Sequence, residues 1–96
     1  MNKKVAFITG ISGMVGSHLA EFLMDNTNFN IIGMIRKRSS LKNLVNLTKN
    51  INDGNRIKLI YADLKDSISV NKAIKETKPY YVFHLAAQSD PKKIGR

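Results

Sequence analysis

TGISGMVG, at residues 9–16, joins two segments of different character. Before it, residues 5–8 (VAFI) form a short apolar run, which predicts a strand buried on both faces of a parallel sheet. After it, Leu19 and Leu23 recur at helical spacing until the turn-forming residues near Asn26, which predicts a helix of about three turns. The stretch is therefore a glycine-rich turn that leads from a strand into a helix.

The alternation of strand and helix continues along the chain. Apolar runs predict further strands, and amphipathic spacing bounded by capping or turn residues predicts further helices. The order β-α-β-α-β-α-β predicts an α/β fold, a Rossmann-type parallel sheet with helices on both faces, which is the N-terminal portion of the doubly wound fold. The predicted strands are 5–8, 30–36, 57–61 and 80–86, with helical stretches from Val15, over 41–51 (apolar at Leu41, Leu44, Val45 and Ile51) and from Asp66 or Ser67 to Pro79.

Composition limits the class of protein. With 96 residues the chain can form one domain or a piece of one. A hydrophobic fraction of 43% with 24% charged residues is typical of a soluble globular protein. The absence of cysteine excludes disulfides, thiolate metal sites and a cysteine nucleophile. The first apolar run is too short for a signal peptide or a membrane span, so we expect a cytoplasmic protein with no membrane partner.

The net charge of +9, from 16 Lys and Arg against 7 Asp and Glu, raises the possibility of an anionic partner. One basic group lies at 36–42 and another at 92–96, and we interpret the second as solvated surface. A nucleic-acid-binding face would need aromatic side chains interleaved with charged ones, and the four Phe and three Tyr lie mostly in predicted strands. The sequence therefore favours a nucleotide over a nucleic acid.

Each glycine of the turn has a predicted physical role. Gly10 permits a sharp turn, Gly13 lets the backbone approach a pyrophosphate, and Gly16 allows close packing of the helix against the sheet. The helix N-terminus directs unpaired N–H groups and a partial positive charge toward the phosphates. Glycines also gather in ordinary loops, but the position between a strand and a helix favours dinucleotide binding. The predicted contacts in this turn are Gly10, Ser12, Gly13, Met14, Val15 and Gly16.

The GxxGxxG spacing resembles the extended, nucleotide-sugar-modifying branch of the short-chain dehydrogenase/reductase superfamily. The likeness reaches to about Ser89 and is most specific to GDP-mannose 4,6-dehydratases. It implies an NAD(P)-binding Rossmann-type domain over 1–89, followed by a tail at 90–96. The blocks that carry it, in order, are GISG (10–13), GSHLAEFL (16–23), RKRSS (36–40), DL (63–64) and LAAQS (85–89).

The residues after the second predicted strand indicate which dinucleotide is bound. An NAD enzyme usually presents an acidic residue to the ribose hydroxyls there, about 20 residues beyond the glycines. This chain has Arg36 instead, and a guanidinium can clamp a 2′-phosphate that a carboxylate would repel. A solvated basic loop is the alternative, but the position favours NADP. The candidate contacts are Arg36, Lys37, Arg38 and Ser39; Arg36 is the first choice, although the cluster is one residue longer than in the family, which leaves the contacting residue open.

The resemblance implies further cofactor contacts after the third and fourth strands. Asp63 would accept a hydrogen bond from the adenine amine and Leu64 would pack on the ring, although Asp63 can also be a simple turn residue. Small residues after the fourth strand would let the ribose and nicotinamide pass close to the backbone. His84, inside the apolar strand, is interpreted as a core histidine rather than a catalyst. The segment after the strand comprises Leu85, Ala86, Ala87, Gln88 and Ser89.

The resemblance also implies a function for the parent protein. Such a dehydratase converts GDP-mannose to GDP-4-dehydro-6-deoxymannose and water, by moving a hydride from the sugar to NADP and back. The Tyr-xxx-Lys pair that supplies the base in this family has no counterpart in this chain, so no catalytic residue and no metal ligand is assigned. We interpret the chain as the NADP-binding N-terminal fragment of an enzyme that forms homo-oligomers. A nucleotide-sugar epimerase or 4-reductase, or a non-catalytic NADP-binding module, is the alternative.

Overall fold

The computed structural model describes residues 4–36, 39–62 and 67–85 and confirms the predicted order of strands and helices. None of the helices in these ranges has the length and apolar character needed to span a lipid bilayer. The elements are β1 (Val5–Thr9), α1 (Met14–Asn26), β2 (Asn30–Ile35), a 3₁₀ helix (Lys42–Leu47), α2 (Thr48–Asp53), β3 (Ile57–Tyr61), α3 (Ser67–Thr77) and β4 (Tyr81–His84).

The four strands form one parallel sheet in the order β3-β2-β1-β4. The chain moves outward from β1 to β3 and then returns to the other side of β1, so the direction of the connections reverses between β1 and β4. In the register of the sheet, Thr9 pairs with Met34 of β2 and with His84 of β4. The carboxyl ends of these three strands therefore meet at one edge, which is where open α/β sheets bind their ligands.

Helices cover both faces of the sheet, as predicted. The connections from β1 to β2 and from β2 to β3 run in one direction, so right-handed crossovers put α1, the 3₁₀ helix and α2 on one face. The connection to β4 runs back and puts α3 on the other face. Ala6 and Ile8 of β1 belong to the same buried cluster as Leu23 of α1. Phe7, between them, lies in a second cluster with Val70 of α3.

The stretch predicted as one amphipathic helix over 41–51 is instead the 3₁₀ helix followed by the short α2. Leu44 and Leu47 are buried three residues apart, a spacing that suits the three residues per turn of a 3₁₀ helix. The expectation that Leu41 and Val45 also face the core is wrong, because these side chains are 44% and 67% exposed. Gly54, with φ 67°, ends α2 in the left-handed conformation.

The fourth strand is shorter than predicted and exposes its histidine. β4 covers Tyr81–His84, although the N–H of Tyr80 still donates to the carbonyl of Val5 at 2.7 Å. The interpretation of His84 as a core histidine is wrong, because its side chain is exposed. Strand alternation puts His84 on the same face as Val82, which is also exposed, and Nδ1 of His84 lies 3.3 Å from Oγ1 of the buried Thr9.

Candidate functional site

Backbone hydrogen bonds hold the glycine-rich turn at the carboxyl edge of the sheet. The N–H of Gly10 donates to the carbonyl of Met34 at the end of β2, at 3.0 Å. On the other side, the N–H of Leu85 donates to Oγ1 of Thr9 at 3.0 Å and to its carbonyl at 3.2 Å. The turn, the end of β2 and the residue after β4 are thus fixed relative to one another.

The first glycine is required by backbone geometry. Gly10 has a φ of 75°, in the left-handed region that other residues rarely adopt. Its carbonyl accepts a hydrogen bond from the N–H of Gly13 at 3.0 Å, which closes the turn. The turn carries the side chain of Ile11 into the core, where it is fully buried, and leaves Ser12 half-buried and Gly13 exposed.

The third glycine is required by packing. A Cβ added at Gly16 would overlap the carbonyl oxygen of Gly10 and lie 2.8 Å from Cα of Ile11. Both neighbours are backbone atoms, which cannot move aside without opening the turn. The absence of a side chain at Gly16 therefore lets α1 begin in contact with the turn itself.

Neither backbone geometry nor packing within the protein requires the second glycine. Gly13 is exposed and its φ of −75° and ψ of 172° are accessible to any residue. The nearest atom to a Cβ added there is the Gly10 carbonyl oxygen at 3.4 Å, an ordinary van der Waals distance. Glycine at this position leaves the outer side of the turn open, so that another molecule can approach the backbone.

The N-terminus of α1 adjoins this open surface. Among the described residues, no side chain caps the helix, and its first intrahelical bond runs from the N–H of Ser17 to the carbonyl of Gly13 at 2.9 Å. The N–H groups of Met14, Val15 and Gly16 therefore have no intrahelical acceptor. The side chains of Met14 and Val15 are 70% and 67% exposed. Together with the helix dipole, these N–H groups can bind an anion.

The basic residue predicted to determine the preference for NADP lies at the same carboxyl edge of the sheet. Arg36 directly follows β2, and its side chain is exposed. The N–H of Ser39 donates to the carbonyl of Arg36 at 3.1 Å, so these two residues lie next to each other. Within 4–36, 39–62 and 67–85 the one ion pair joins Lys49 to Asp53, which leaves the Arg36 guanidinium without a carboxylate partner in those ranges.

Sequence reasoning missed two residues that shape the turn. A Cβ added at Gly33 in β2 would lie 2.5 Å from Cδ1 of Ile11, so this glycine makes room for the Ile11 side chain. A glycine inside an apolar strand is itself a signal of close approach and could have indicated this role. Asn43 of the 3₁₀ helix donates from Nδ2 to the carbonyl of Ser12 at 3.0 Å, and no local sequence signal indicates this contact.

The remaining predicted contacts are only partly covered by the structure. Leu85 is described, and its half-buried side chain packs against the core beside β1. Eight predicted contacts lie outside the described residues: Lys37, Arg38, Asp63, Leu64, Ala86, Ala87, Gln88 and Ser89.

The parallel sheet with its reversal beside β1, and the glycine turn that opens α1 at that point, define an α/β protein of the Rossmann type. The sequence model of GDP-mannose 4,6 dehydratase matches residues 7–94. The chain therefore belongs to the GDP-mannose 4,6-dehydratase family.

Individual relatives agree with this assignment. GDP-mannose 4,6 dehydratase of Cricetulus griseus is 43% identical over 95 residues, which are 94% of this chain and 25% of the relative. GDP-mannose 4,6-dehydratase of Vibrio cholerae is 43% identical over 93 residues, with coverages of 93% and 24%. The chain thus spans about a quarter of the length of these relatives.

A solved structure shows the same fold. The dTDP-glucose 4,6-dehydratase of Bacillus anthracis, crystallised in complex with NAD, superposes with a TM-score of 0.68 at 20% sequence identity. The match covers 92% of this chain and 28% of that protein.

Proposed function

We propose that this chain binds NADP and is the cofactor-binding part of a nucleotide-sugar 4,6-dehydratase. The observation that carries the proposal is the open surface formed by Gly13 and the N-terminus of α1. Gly10 and Gly16 are explained by the protein's own geometry, whereas Gly13 is explained only by the approach of another molecule. The adjacent uncapped N–H groups favour an anionic group in that molecule, such as a pyrophosphate.

The choice of NADP rests on Arg36. The related Bacillus anthracis dehydratase was crystallised with NAD, so the fold accommodates a nicotinamide dinucleotide. At the end of β2 this chain presents an exposed guanidinium instead of a carboxylate. A guanidinium can form two parallel hydrogen bonds with a 2′-phosphate. Ser39, whose N–H donates to the carbonyl of Arg36, can add a hydrogen bond from its hydroxyl. We infer that the cofactor carries the 2′-phosphate.

The substrate is inferred from the family. The relatives from Cricetulus griseus and Vibrio cholerae are both GDP-mannose 4,6-dehydratases. We propose GDP-mannose as the substrate of the whole protein, with loss of water from the sugar as the reaction. NADP supplies a reversible hydride acceptor for such a reaction. The residues described here would bind and orient the cofactor, by contacts to its phosphates, at the carboxyl edge of the sheet.

Calorimetric titration of the folded chain with NADPH and NADH tests the proposal. We expect NADPH to bind more tightly than NADH. Gly13→Asp should weaken both ligands, because a carboxylate would occupy the phosphate position. Arg36→Glu should weaken NADPH selectively, by more than about tenfold, because it replaces an attraction to the 2′-phosphate with a repulsion.

A matched control separates local contact from total charge. Lys72→Glu makes the same charge reversal at an exposed position on α3, far from the turn in sequence and on the opposite face of the sheet. This variant should bind NADPH within about twofold of the unmodified chain. Equal losses in Arg36→Glu and Lys72→Glu would contradict the assigned role of Arg36. No binding of either dinucleotide to the folded chain would overturn the proposed function.

A further inference from the structure

One side chain joins two parts of the proposed cofactor site. Asn43, in the 3₁₀ helix, donates from Nδ2 to the carbonyl of Ser12 in the glycine-rich turn, at 3.0 Å in a partly buried position. The two residues are 31 positions apart in the sequence. The contact therefore ties the segment after β2 to the turn after β1.

The 3₁₀ helix is itself firmly anchored. Leu44 and Leu47 are buried in the core cluster beneath α1. On the outer side, Asn46 donates from Nδ2 to Oε2 of Glu21 on α1, at 3.3 Å. Asn43 thus projects from a helix whose position is fixed by both apolar packing and a second polar contact.

The bond from Asn43 fixes the orientation of one peptide group. The carbonyl of Ser12 is engaged by Asn43, and the N–H of Gly13, in the same peptide group, donates to the carbonyl of Gly10 at 3.0 Å. A peptide held at both ends cannot rotate to present its carbonyl oxygen to a phosphate, which would repel it. The turn then offers only the N–H groups of the α1 N-terminus to an anion.

We propose that Asn43 is a positioning residue that sets the glycine-rich turn relative to the segment carrying Arg36 and Ser39. It would thereby fix the spacing between the sites for the pyrophosphate and for the 2′-phosphate of one dinucleotide. The inference rests on the proposed function, since these two anionic groups define the spacing. Asn43 itself touches the turn and acts through it.

Two ligands and two variants test the inference. NADPH carries both anionic groups, whereas adenosine 2′-monophosphate carries only the 2′-phosphate and cannot reach the turn through a 5′-phosphate. Asn43→Ala should weaken NADPH by about tenfold and change adenosine 2′-monophosphate by less than about twofold. Asn46→Ala, which removes an asparagine from the same helix without affecting the turn, should change both ligands by less than about twofold.

The results for the two variants distinguish a positioning role of Asn43 from a structural one. Equal weakening of both ligands by Asn43→Ala, or equal effects of the two variants, would assign Asn43 a structural role and overturn the inference. If the folded, unmodified chain binds neither ligand, the proposed function fails, and amide hydrogen exchange decides the role of Asn43 separately. Faster exchange at Gly13 in Asn43→Ala, but not in Asn46→Ala, would support control of the turn. Unchanged exchange at Gly13 would refute it.

Discussion

The two ends of α1 differ in whether side chains bond their free backbone groups. At the C-terminal end, the guanidinium of Arg56 donates to the carbonyls of Leu23, Met24 and Thr27, with distances of 3.4, 3.0 and 2.6 Å. It also donates to the carbonyl of Phe29 at 3.1 Å. At the N-terminal end, no side chain in the described part of the chain accepts from the first N–H groups.

The difference indicates which end the fold stabilises and which end it keeps available. A positive side chain at a helix C-terminus is favourable both as a hydrogen-bond donor and through the helix dipole. A Ser, Thr, Asp or Asn at the N-cap would accept a hydrogen bond from these N–H groups and add about 0.3 kcal/mol of stability relative to glycine, yet the N-cap position is occupied by Gly13. The omission is understandable if the N-terminal end serves to bind a ligand.

The largest expected effect on stability belongs to Gly16. Gly16→Ala places a methyl group against the backbone of Gly10 and Ile11, which cannot yield without opening the turn. We expect a loss of about 3 kcal/mol in the free energy of unfolding, which outweighs the gain of about 1 kcal/mol in helix propensity. Urea denaturation of the variant and the unmodified chain measures the difference. An unchanged midpoint would show that the turn is softer than its packing indicates.

The next effect should come from Arg56. Arg56→Lys keeps the positive charge and the side-chain stem but replaces the planar fork, so that one ammonium group cannot reach all four carbonyls. We expect a loss of about 2 kcal/mol in the free energy of unfolding, measured by the same denaturation. Arg36→Lys, at an exposed position, is the control and should change stability by less than about 0.5 kcal/mol. Equal stabilities of the two variants would show that the guanidinium of Arg56 does not stabilise the C-terminal end of α1.

Much of the fold could be predicted because its signals are local. The apolar runs and the glycine turn each lie within a few residues, and they yielded the parallel sheet and the two helical faces correctly. Arg56, Gly33 and Asn43 act on residues 22 or more positions away in sequence, and composition or periodicity cannot reveal such contacts. For the site, the sequence supplied the turn and Arg36, whose cofactor-binding roles stay predictions.

The failures of prediction also have a physical cause. The apolar spacing over 41–51 predicts one α-helical face, but only Leu44 and Leu47, at 3₁₀ spacing, are buried there. The apolar neighbours of His84 predict a buried side chain, yet strand alternation places it on the more exposed face of β4. In both cases the apolar composition predicts the element, and the direction of the individual side chains depends on the packing of the folded chain.

A smaller effect is expected at Thr27, the C-cap residue of α1. Its hydroxyl donates to the carbonyl of Leu23 at 2.6 Å and accepts from the N–H of Phe29 at 3.1 Å. Thr27→Val keeps the branched shape and removes both bonds, so we expect a loss of about 1 kcal/mol. Thermal unfolding should show a melting temperature lowered by several degrees, about 4–8 °C for a domain of this size. A loss larger than that of Arg56→Lys would mean that the hydroxyl of Thr27, rather than the guanidinium of Arg56, contributes most to the stability of this end of α1.

The smallest effect on stability should be that of Gly13→Ala, even though this residue belongs to the same motif as Gly16. The added Cβ meets the Gly10 carbonyl oxygen at an ordinary 3.4 Å, and the backbone conformation is open to alanine. The weaker N-cap and the lower entropy of the unfolded chain nearly cancel, so we expect a change within about 0.5 kcal/mol.

Gly13→Ala should change the affinity for NADPH even though it leaves the stability nearly unchanged. A methyl group at residue 13 stands on the outer side of the turn, where we propose that the pyrophosphate approaches the backbone. Calorimetry should show NADPH affinity reduced by about tenfold or more while the denaturation curve stays in place. If affinity and stability were both unchanged, Gly13 would have neither an internal nor an external reason to be glycine, and the open end of α1 would be a feature of the fold alone.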